Sequence, residues 1–141
     1  MRYPLAILLI LLALPAQSCL AADELITTAK YANEEVPYIL NVSNPAPKYV
    51  IILYPGGTGN VDPRMENGKL VYGYRGNFLL RSRRFIVDDE FATVSTNASQ
   101  SEERIQAVLD DLKRRFPVAQ IYLMGTSNGT ISGAYLANTL H

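Results

Sequence analysis

Short apolar runs alternate with amphipathic segments along this chain. Residues 49–54 (Tyr-Val-Ile-Ile-Leu-Tyr) form a nearly continuous run rich in β-branched side chains, and residues 91–94 and 119–124 form two more. Such runs are typical of strands that are buried on both faces of a parallel sheet. Residues 36–42 predict a further strand, and Pro37 favours an edge position for it, because proline cannot donate a ladder hydrogen bond.

Three helices are predicted between and after these strands. The first covers residues 77–87 and has apolar side chains at Phe78, Leu79, Phe85 and Ile86. The second begins at Ser99 and ends before Pro117, and its apolar positions recur with the helical period, at Ile105, Val108, Leu109, Leu112 and Phe116. Glu102 follows Ser99 by three residues, which is the spacing of a capping box.

The third predicted helix covers residues 128–140, which are rich in small side chains. Residues 44–47 predict a turn, and residues 60–76 predict an irregular segment. Strands that alternate with helices favour an α/β fold with a mostly parallel sheet and flanking helices, connected by right-handed crossovers.

The first 22 residues are predicted to be a secretory signal peptide. Arg2 gives a positive start, residues 5–14 are apolar, and the small residues Ala21 and Ala22 suit cleavage. Ten apolar residues are too few to span a bilayer. The protein is therefore expected to be exported, to the periplasm or beyond. The alternatives are a buried N-terminal helix, and a lipobox-like signal that would lipidate Cys19 and anchor the chain to a membrane.

The composition narrows the possible functions. The chain of 141 residues carries 13 Lys+Arg and 13 Asp+Glu, so its net charge is zero. Binding to nucleic acid or acidic lipid through net charge is therefore not expected. One Cys and one His exclude an internal disulfide framework and a Cys/His zinc cage. No metal and no cofactor are predicted.

Residues 125–129 (Gly-Thr-Ser-Asn-Gly) carry the strongest chemical signal. They match G-x-S-x-G, and they lie directly after a predicted strand and directly before a predicted helix. This context indicates a nucleophile elbow, in which a sharp turn lifts the Ser127 hydroxyl above the edge of the sheet. Gly125 and Gly129 flank Ser127 because side chains at these positions would collide across the turn.

A glycine-rich loop after an earlier strand supplies a second element of the site. It covers residues 55–59 (Pro-Gly-Gly-Thr-Gly). In acyl transfer the carbonyl oxygen becomes an anion, which fixed N–H donors must stabilise. The Asn128 N–H, next to the nucleophile, would be one donor of this oxyanion hole. The second would be an N–H from the stretch Gly56 to Thr58.

These two motifs, together with Thr130 after the elbow, resemble those of secreted bacterial members of the α/β-hydrolase family. The resemblance runs from about residue 36 to residue 140. It implies that Ser127 is the nucleophile, with Asn128 and either Gly57 or Thr58 as oxyanion donors. It also implies esterase-, lipase- or peptidase-like hydrolysis of a small-molecule ester or amide without a metal. Many lipase-type members have His before the glycines, whereas this chain has Tyr54 and Pro55, which leaves the substrate class open.

The family's catalytic triad is incomplete in this sequence. The family order is Ser, then Asp or Glu, then His. Only fourteen residues follow Ser127, and none of them is Asp or Glu. His141 lies about 20 Å from Ser127 along an unbroken helix, too far for a general base. Residues 23–141 are therefore predicted to be an incomplete α/β-hydrolase domain without its C-terminal part, because of a fragmentary sequence or an early stop.

Other interpretations of these motifs remain open. Ser127 would also suit a helix N-cap, and residues 55–59 would suit a plain turn or, less well, a phosphate loop, since no G-K-[ST] follows. Arg81, Arg83 and Arg84 would form either a solvated helix face or a contact for an anionic substrate. Tyr72 and Tyr74, in the loop region, would either line a pocket or serve in packing. Residues 88–90 are expected to form an exposed connection. The alternative function is a non-catalytic exported binding module on a hydrolase scaffold.

Overall fold

The structure, a computed structural model, describes residues 22–98 and 101–139. The predicted signal peptide, apart from Ala22, lies outside the described residues, as do Cys19, Ser99 and His141. Within the described ranges, no helix is long and apolar enough to cross a membrane.

Seven strands and three helices are formed by the described residues. In chain order they are β1 (Asp23–Tyr31), β2 (Glu34–Val42), β3 (Tyr49–Tyr54), β4 (Arg64–Glu66), β5 (Lys69–Val71), α1 (Phe78–Ile86), β6 (Phe91–Ser95), α2 (Glu102–Arg115), β7 (Gln120–Gly125) and α3 (Asn128–Thr139).

The main sheet is mixed and has the strand order β1, β2, β6, β3, β7. Strands β6, β3 and β7 are parallel to one another, and they are the three strands predicted from apolar runs. Strand β2 is antiparallel to both β1 and β6. The α/β class with flanking helices is thus confirmed, with the parallel part confined to three strands. Sequence analysis did not predict β1.

The prediction that Pro37 marks an edge strand is wrong. Strand β2 lies inside the sheet, between β1 and β6. Its ladder with β6 covers only Ile39, Leu40 and Asn41, so Pro37 lies beyond it. The missing N–H of Pro37 therefore interrupts no bond of that ladder.

The two faces of β3 explain its continuous apolar run. Val50, Ile52 and Tyr54 belong to the large core on the α2 and α3 side of the sheet. Ile51 and Leu53 pack on the opposite side against Leu79 of α1. Side chains of a strand alternate between faces, and here both faces are covered.

Helix α1 begins where the sequence predicts, and it buries its leucines but not its phenylalanines. The side chain of Asn77 caps it by accepting a hydrogen bond from the Leu79 N–H at 2.9 Å. Leu79 and Leu80 are buried, whereas Phe78 and Phe85 are 65% and 90% exposed. Of the apolar side chains that mark this helix in the sequence, the two phenylalanines thus lie outside the core.

Helix α2 begins two residues later than expected. Its N-cap is Ser101, whose hydroxyl accepts a hydrogen bond from the Arg104 N–H. The predicted apolar face is confirmed in its main positions, since Ile105, Val108 and Leu112 are buried. Ser101 lies two residues after Ser99, and the apolar periodicity of the helix does not by itself fix which residue caps it.

The prediction that residues 60–76 are irregular is also wrong in part. Strands β4 and β5 form a short antiparallel hairpin. Its turn is Asn67-Gly68, with φ of 51° and 73°. Two consecutive positive φ values are what a two-residue hairpin turn requires, and Asn-Gly is the dipeptide that adopts them most readily.

Strand β7 forms one edge of the main sheet and pairs only with β3 among the described residues. Its side chains Tyr122 and Met124 are half exposed. Together with Tyr49 and Phe91 they line an open groove with a volume of about 640 Å³. An apolar edge of this kind is suited to a further strand.

A buried ion-pair network fixes α1 to β1. Glu24 accepts hydrogen bonds from Asn41 at 3.1 Å and from Arg83 at 2.8 Å, and it also pairs with Arg84. Burial alone would raise the pKa of Glu24. The hydrogen bonds from Arg84 and Asn41 and the charge of Arg83 outweigh it and lower that pKa to about 2.

We expect this network to make the protein less stable in acid. A carboxylate with a depressed folded-state pKa contributes stability above its unfolded-state pKa, and this contribution is lost as the pH falls from 4.5 to about 2. After allowance for solvent screening, the loss should be about 1–2 kcal/mol. Urea unfolding across this pH range measures it, with Glu24→Gln compared with exposed Glu34→Gln. Only Glu24→Gln should flatten the profile, and equal profiles for both variants would contradict the assignment.

Candidate active site

Ser127 lies at the junction of β7 and α3 in a left-handed conformation. Its φ is 52°, and its side chain is exposed. A residue other than glycine in this region costs about 1–2 kcal/mol, so the surrounding turn must hold it there. The first turn of α3 does so, because the Thr130 N–H donates to the Ser127 carbonyl at 2.9 Å. The backbone geometry expected of a nucleophile elbow is therefore present.

The flanking glycines let the turn close on itself and on β3. A Cβ at Gly125 would lie 2.5 Å from the carbonyl oxygen of Gly129. A Cβ at Gly129 would lie 2.2 Å from the carbonyl oxygen of Tyr54. Both contacts are with backbone atoms, which have little freedom to move. Larger residues at these two positions would therefore force the turn apart, as the sequence pattern indicated.

The glycine-rich loop after β3 packs directly against this turn. A Cβ at Gly56 would lie 2.9 Å from the Cβ of Ser127. The side-chain amide of Asn128 donates a hydrogen bond to the Gly57 carbonyl at 3.2 Å. The structure thus brings the two motifs of the sequence together at the carboxyl ends of β3 and β7.

Tyr74 distinguishes the two candidate donors of the loop. The Thr58 N–H donates a hydrogen bond to the Tyr74 hydroxyl at 2.9 Å, and this bond lowers the pKa of that hydroxyl. The ring of Tyr74 covers Gly57, which has φ of 69°. Tyr74 itself is left-handed, with φ of 53°. Sequence analysis placed Tyr74 in a loop but gave no sign of this contact.

Asn97 fixes the far side of the loop. Its side-chain oxygen accepts hydrogen bonds from the N–H groups of Val61 and Asp62, at 2.6 and 2.8 Å, and its amide donates to the Asp62 carboxylate. The Ala98 N–H donates to the Gly59 carbonyl at 2.9 Å. Sequence analysis missed this role, for which the only local signal is a polar stretch after a strand.

An open cleft of about 450 Å³ lies beside the elbow. Its walls come from the glycine-rich loop, Ala98 and the first turns of α3, at Gly57, Thr58, Gly59, Ala98, Asn128, Ile131 and Ser132. The exposed side chain of Ile131 gives it an apolar side. A backbone-lined cleft with one apolar wall suits a small, mostly uncharged molecule.

Three hydroxyl groups are buried without a hydrogen-bond partner among the described residues. They belong to Tyr54, Ser95 and Thr126, at the carboxyl ends of β3, β6 and β7. Burial raises the pKa of Tyr54, so its hydroxyl stays neutral. In the described part of the chain, no group of three His, Cys, Asp or Glu side chains is arranged to hold a metal ion.

Other residues singled out from the sequence lie away from the elbow. Arg83 is buried against Glu24, and its guanidinium also donates to the Tyr72 hydroxyl at 3.1 Å. Arg84 pairs with Glu24 as well. The interpretation of all three arginines as a solvated face is therefore wrong for Arg83. Residues 88–90 are exposed, as expected.

Known structures share this fold, although no protein-family model and no curated protein matches the sequence. A cold-adapted esterase from an Arctic intertidal metagenomic library superposes with a TM-score of 0.60 and 12% identity, over 83% of this chain and 56% of that one. An α/β serine hydrolase without a lid from Xanthomonas campestris gives 0.51 and 11%, over 82% and 54%. Acylaminoacyl peptidase from Pyrococcus horikoshii gives 0.54 and 15%, over 82% and 21%.

These likenesses establish the architecture. The mixed sheet with flanking helices matches proteins of one fold, and the match covers most of this chain. The chain spans about half the length of the esterase and of the lidless hydrolase. At such low identity the comparison shows the fold alone: this chain has the α/β-hydrolase fold, and it corresponds to about half of the esterase and of the lidless hydrolase.

Proposed function

We propose that this chain is the N-terminal part of an exported serine hydrolase with Ser127 as its nucleophile. One observation carries the proposal: Ser127 is held left-handed at a strand–helix junction, with the glycine-rich loop packed against its Cβ. An ordinary N-cap needs no positive φ, since capping residues are normally extended. The matched structures include esterases and a peptidase, which is consistent with hydrolase chemistry.

In the proposed reaction, the Ser127 hydroxyl oxygen attacks the carbonyl carbon of an ester or amide. The hydroxyl proton passes to a general base, and the carbonyl oxygen becomes an anion. The base would be a histidine in a further part of the chain, and an Asp or Glu would orient it.

The apolar leader at residues 5–14 supports export.

The oxyanion would accept hydrogen bonds from the backbone N–H groups of Asn128 and Gly57. Asn128 is the first residue of α3, where N–H groups have no partner within the helix. Thr58 was an equal candidate on sequence grounds. Its N–H already donates to Tyr74, so it would have to exchange that bond before it could serve an oxyanion. We therefore favour Gly57 as the second donor.

The cleft beside the elbow suits a small acyl group. Its apolar wall at Ile131 and its backbone-lined wall at Gly57 are both next to the proposed oxyanion donors. Short acyl esters are therefore the first substrates to test. A non-catalytic binding module on the same scaffold is the alternative.

A fluorophosphonate probe tests the nucleophile directly. The serine oxygen forms a bond to phosphorus and fluoride leaves, so the modified peptide carries a fixed mass increase. The test uses the longer protein of the proposal, which continues after His141. In that protein we expect one label, on Ser127. Ser127→Ala should abolish it, and the control Ser82→Ala, in α1, should retain it. A folded protein that takes no label at Ser127 would contradict the proposal and favour the binding module.

A further inference from the structure

The outward face of α1 carries exposed aromatic and basic side chains. Phe78, Arg81 and Phe85 are spaced i, i+3 and i+7, so they form one stripe along the helix. Phe85 is 90% exposed. The opposite side of α1 is buried against the sheet through Leu79 and Leu80. Two exposed phenylalanines on a nine-residue helix are not needed for packing, which suggests an interaction surface.

Basic side chains continue this stripe across the neighbouring hairpin. An open cleft of about 610 Å³ between α1 and β5 includes Lys69, Arg75 and Arg81, with Phe85 at its margin. Its walls contain five cationic side chains and a single carboxylate, that of Glu24. Because the whole chain has zero net charge, this is a strong local asymmetry. We call Lys69, Arg75, Phe78, Arg81 and Phe85 the aromatic–basic surface.

The cations of the cleft fall into two groups. Arg83 and Arg84 both pair with Glu24, so the single carboxylate of the cleft is shared by these two cations. Lys69, Arg75 and Arg81 form no ion pair with any residue in the described ranges. Arg75 lies over the ring of Tyr72 at 5.5 Å from its centroid. The cations without an ion pair in the described ranges therefore line the same cleft as the exposed ring of Phe85.

We propose that the aromatic–basic surface docks the protein onto an anionic membrane. Cations at a protein surface are attracted to anionic headgroups, and exposed phenyl rings insert at the boundary with the acyl chains. A site for a small anion would instead aim buried donors into the cleft, where Arg83 is already committed to Glu24. This docking needs no lipid at Cys19, and it acts through local rather than net charge.

Vesicle sedimentation tests the charges. The protein is used in its exported form, because the apolar leader at residues 5–14 would itself bind lipid. We expect binding to phosphatidylglycerol vesicles and little binding to phosphatidylcholine vesicles. The double variant Arg75→Gln/Arg81→Gln should bind about thirtyfold more weakly. The matched control Lys30→Gln/Lys113→Gln removes the same charge from exposed positions on β1 and α2, and it should bind like the unaltered protein.

Fluorescence tests the aromatic contact. The chain has no Trp, so Phe85→Trp introduces a single reporter. Its emission should shift to the blue with anionic vesicles only, whereas the control Val118→Trp, at a position that is 83% exposed elsewhere, should not shift. Phe85→Ala should weaken binding about tenfold.

Three results would overturn the proposal. They are equal binding to both lipids, equal weakening by the two double variants, and an unshifted spectrum for Phe85→Trp on vesicles that retain the protein. Displacement by inorganic phosphate, at concentrations where chloride of equal ionic strength has no effect, would assign a small-anion site instead. Far-UV circular dichroism of each variant excludes loss of fold as the cause.

Discussion

Ser127→Ala is expected to reduce hydrolysis of p-nitrophenyl acetate by about 10⁵–10⁶-fold in the protein that includes residues beyond His141. The hydroxyl oxygen is the atom that would bond to the acyl carbon, so alanine removes the covalent step altogether. Alanine keeps the Cβ that Gly56 contacts. The turn should therefore remain intact, and the loss should fall on kcat with little change in stability.

Residues 23–141 alone should show no turnover above their own Ser127→Ala control. The sequence contains one His, at position 141, which lies outside the described residues. The described part of the chain therefore provides no imidazole that could act as the base for Ser127. Paired assays of the short and the complete protein, each with and without Ser127, measure this difference. Strong Ser127-dependent turnover by the short chain would show that it contains a base, and it would refute the prediction of an incomplete triad.

The sequence predicted those elements whose structure is determined by the local pattern of apolar and polar residues. The apolar run of β3 is buried on both faces, and no other element gives such a run as clearly. Strand β1 has the mixed sequence Asp-Glu-Leu-Ile-Thr-Thr-Ala-Lys-Tyr, and within the described ranges it pairs with β2 alone. Because it lies at the edge of the sheet, it needs no continuous apolar run. Its position depends on the pairing with β2, which single-residue patterns do not reveal.

The same distinction holds at the candidate site. The elbow was predictable because a five-residue pattern and its flanking elements determine the backbone at Ser127. The hydrogen bond between Thr58 and Tyr74 joins residues that are 16 positions apart, with the β4–β5 hairpin between them. The pairing of Arg83 with Glu24 spans 59 residues. Neither contact leaves a local pattern, and the second buries an arginine that its own helix would leave in solvent.

Gly129→Ala should destabilise the protein by about 3–5 kcal/mol, the cost of a steric clash that cannot relax. The added methyl group would lie 2.2 Å from the Tyr54 carbonyl oxygen and 2.7 Å from that of Pro55. These backbone atoms end β3 and begin the glycine-rich loop. The clash would thus separate α3 from the loop and move Ser127 away from Gly57.

Gly133→Ala is the matched control, since it makes the same change one turn later in α3. There the added methyl group would have Tyr54 as its nearest neighbour, at an ordinary 3.8 Å. Alanine is the better helix former, so this variant should be about 0.5–1 kcal/mol more stable. Urea unfolding of both variants measures the difference. Equal stabilities would mean that α3 does not pack on β3 through Gly129, and the elbow geometry on which the proposed nucleophile depends would then be wrong.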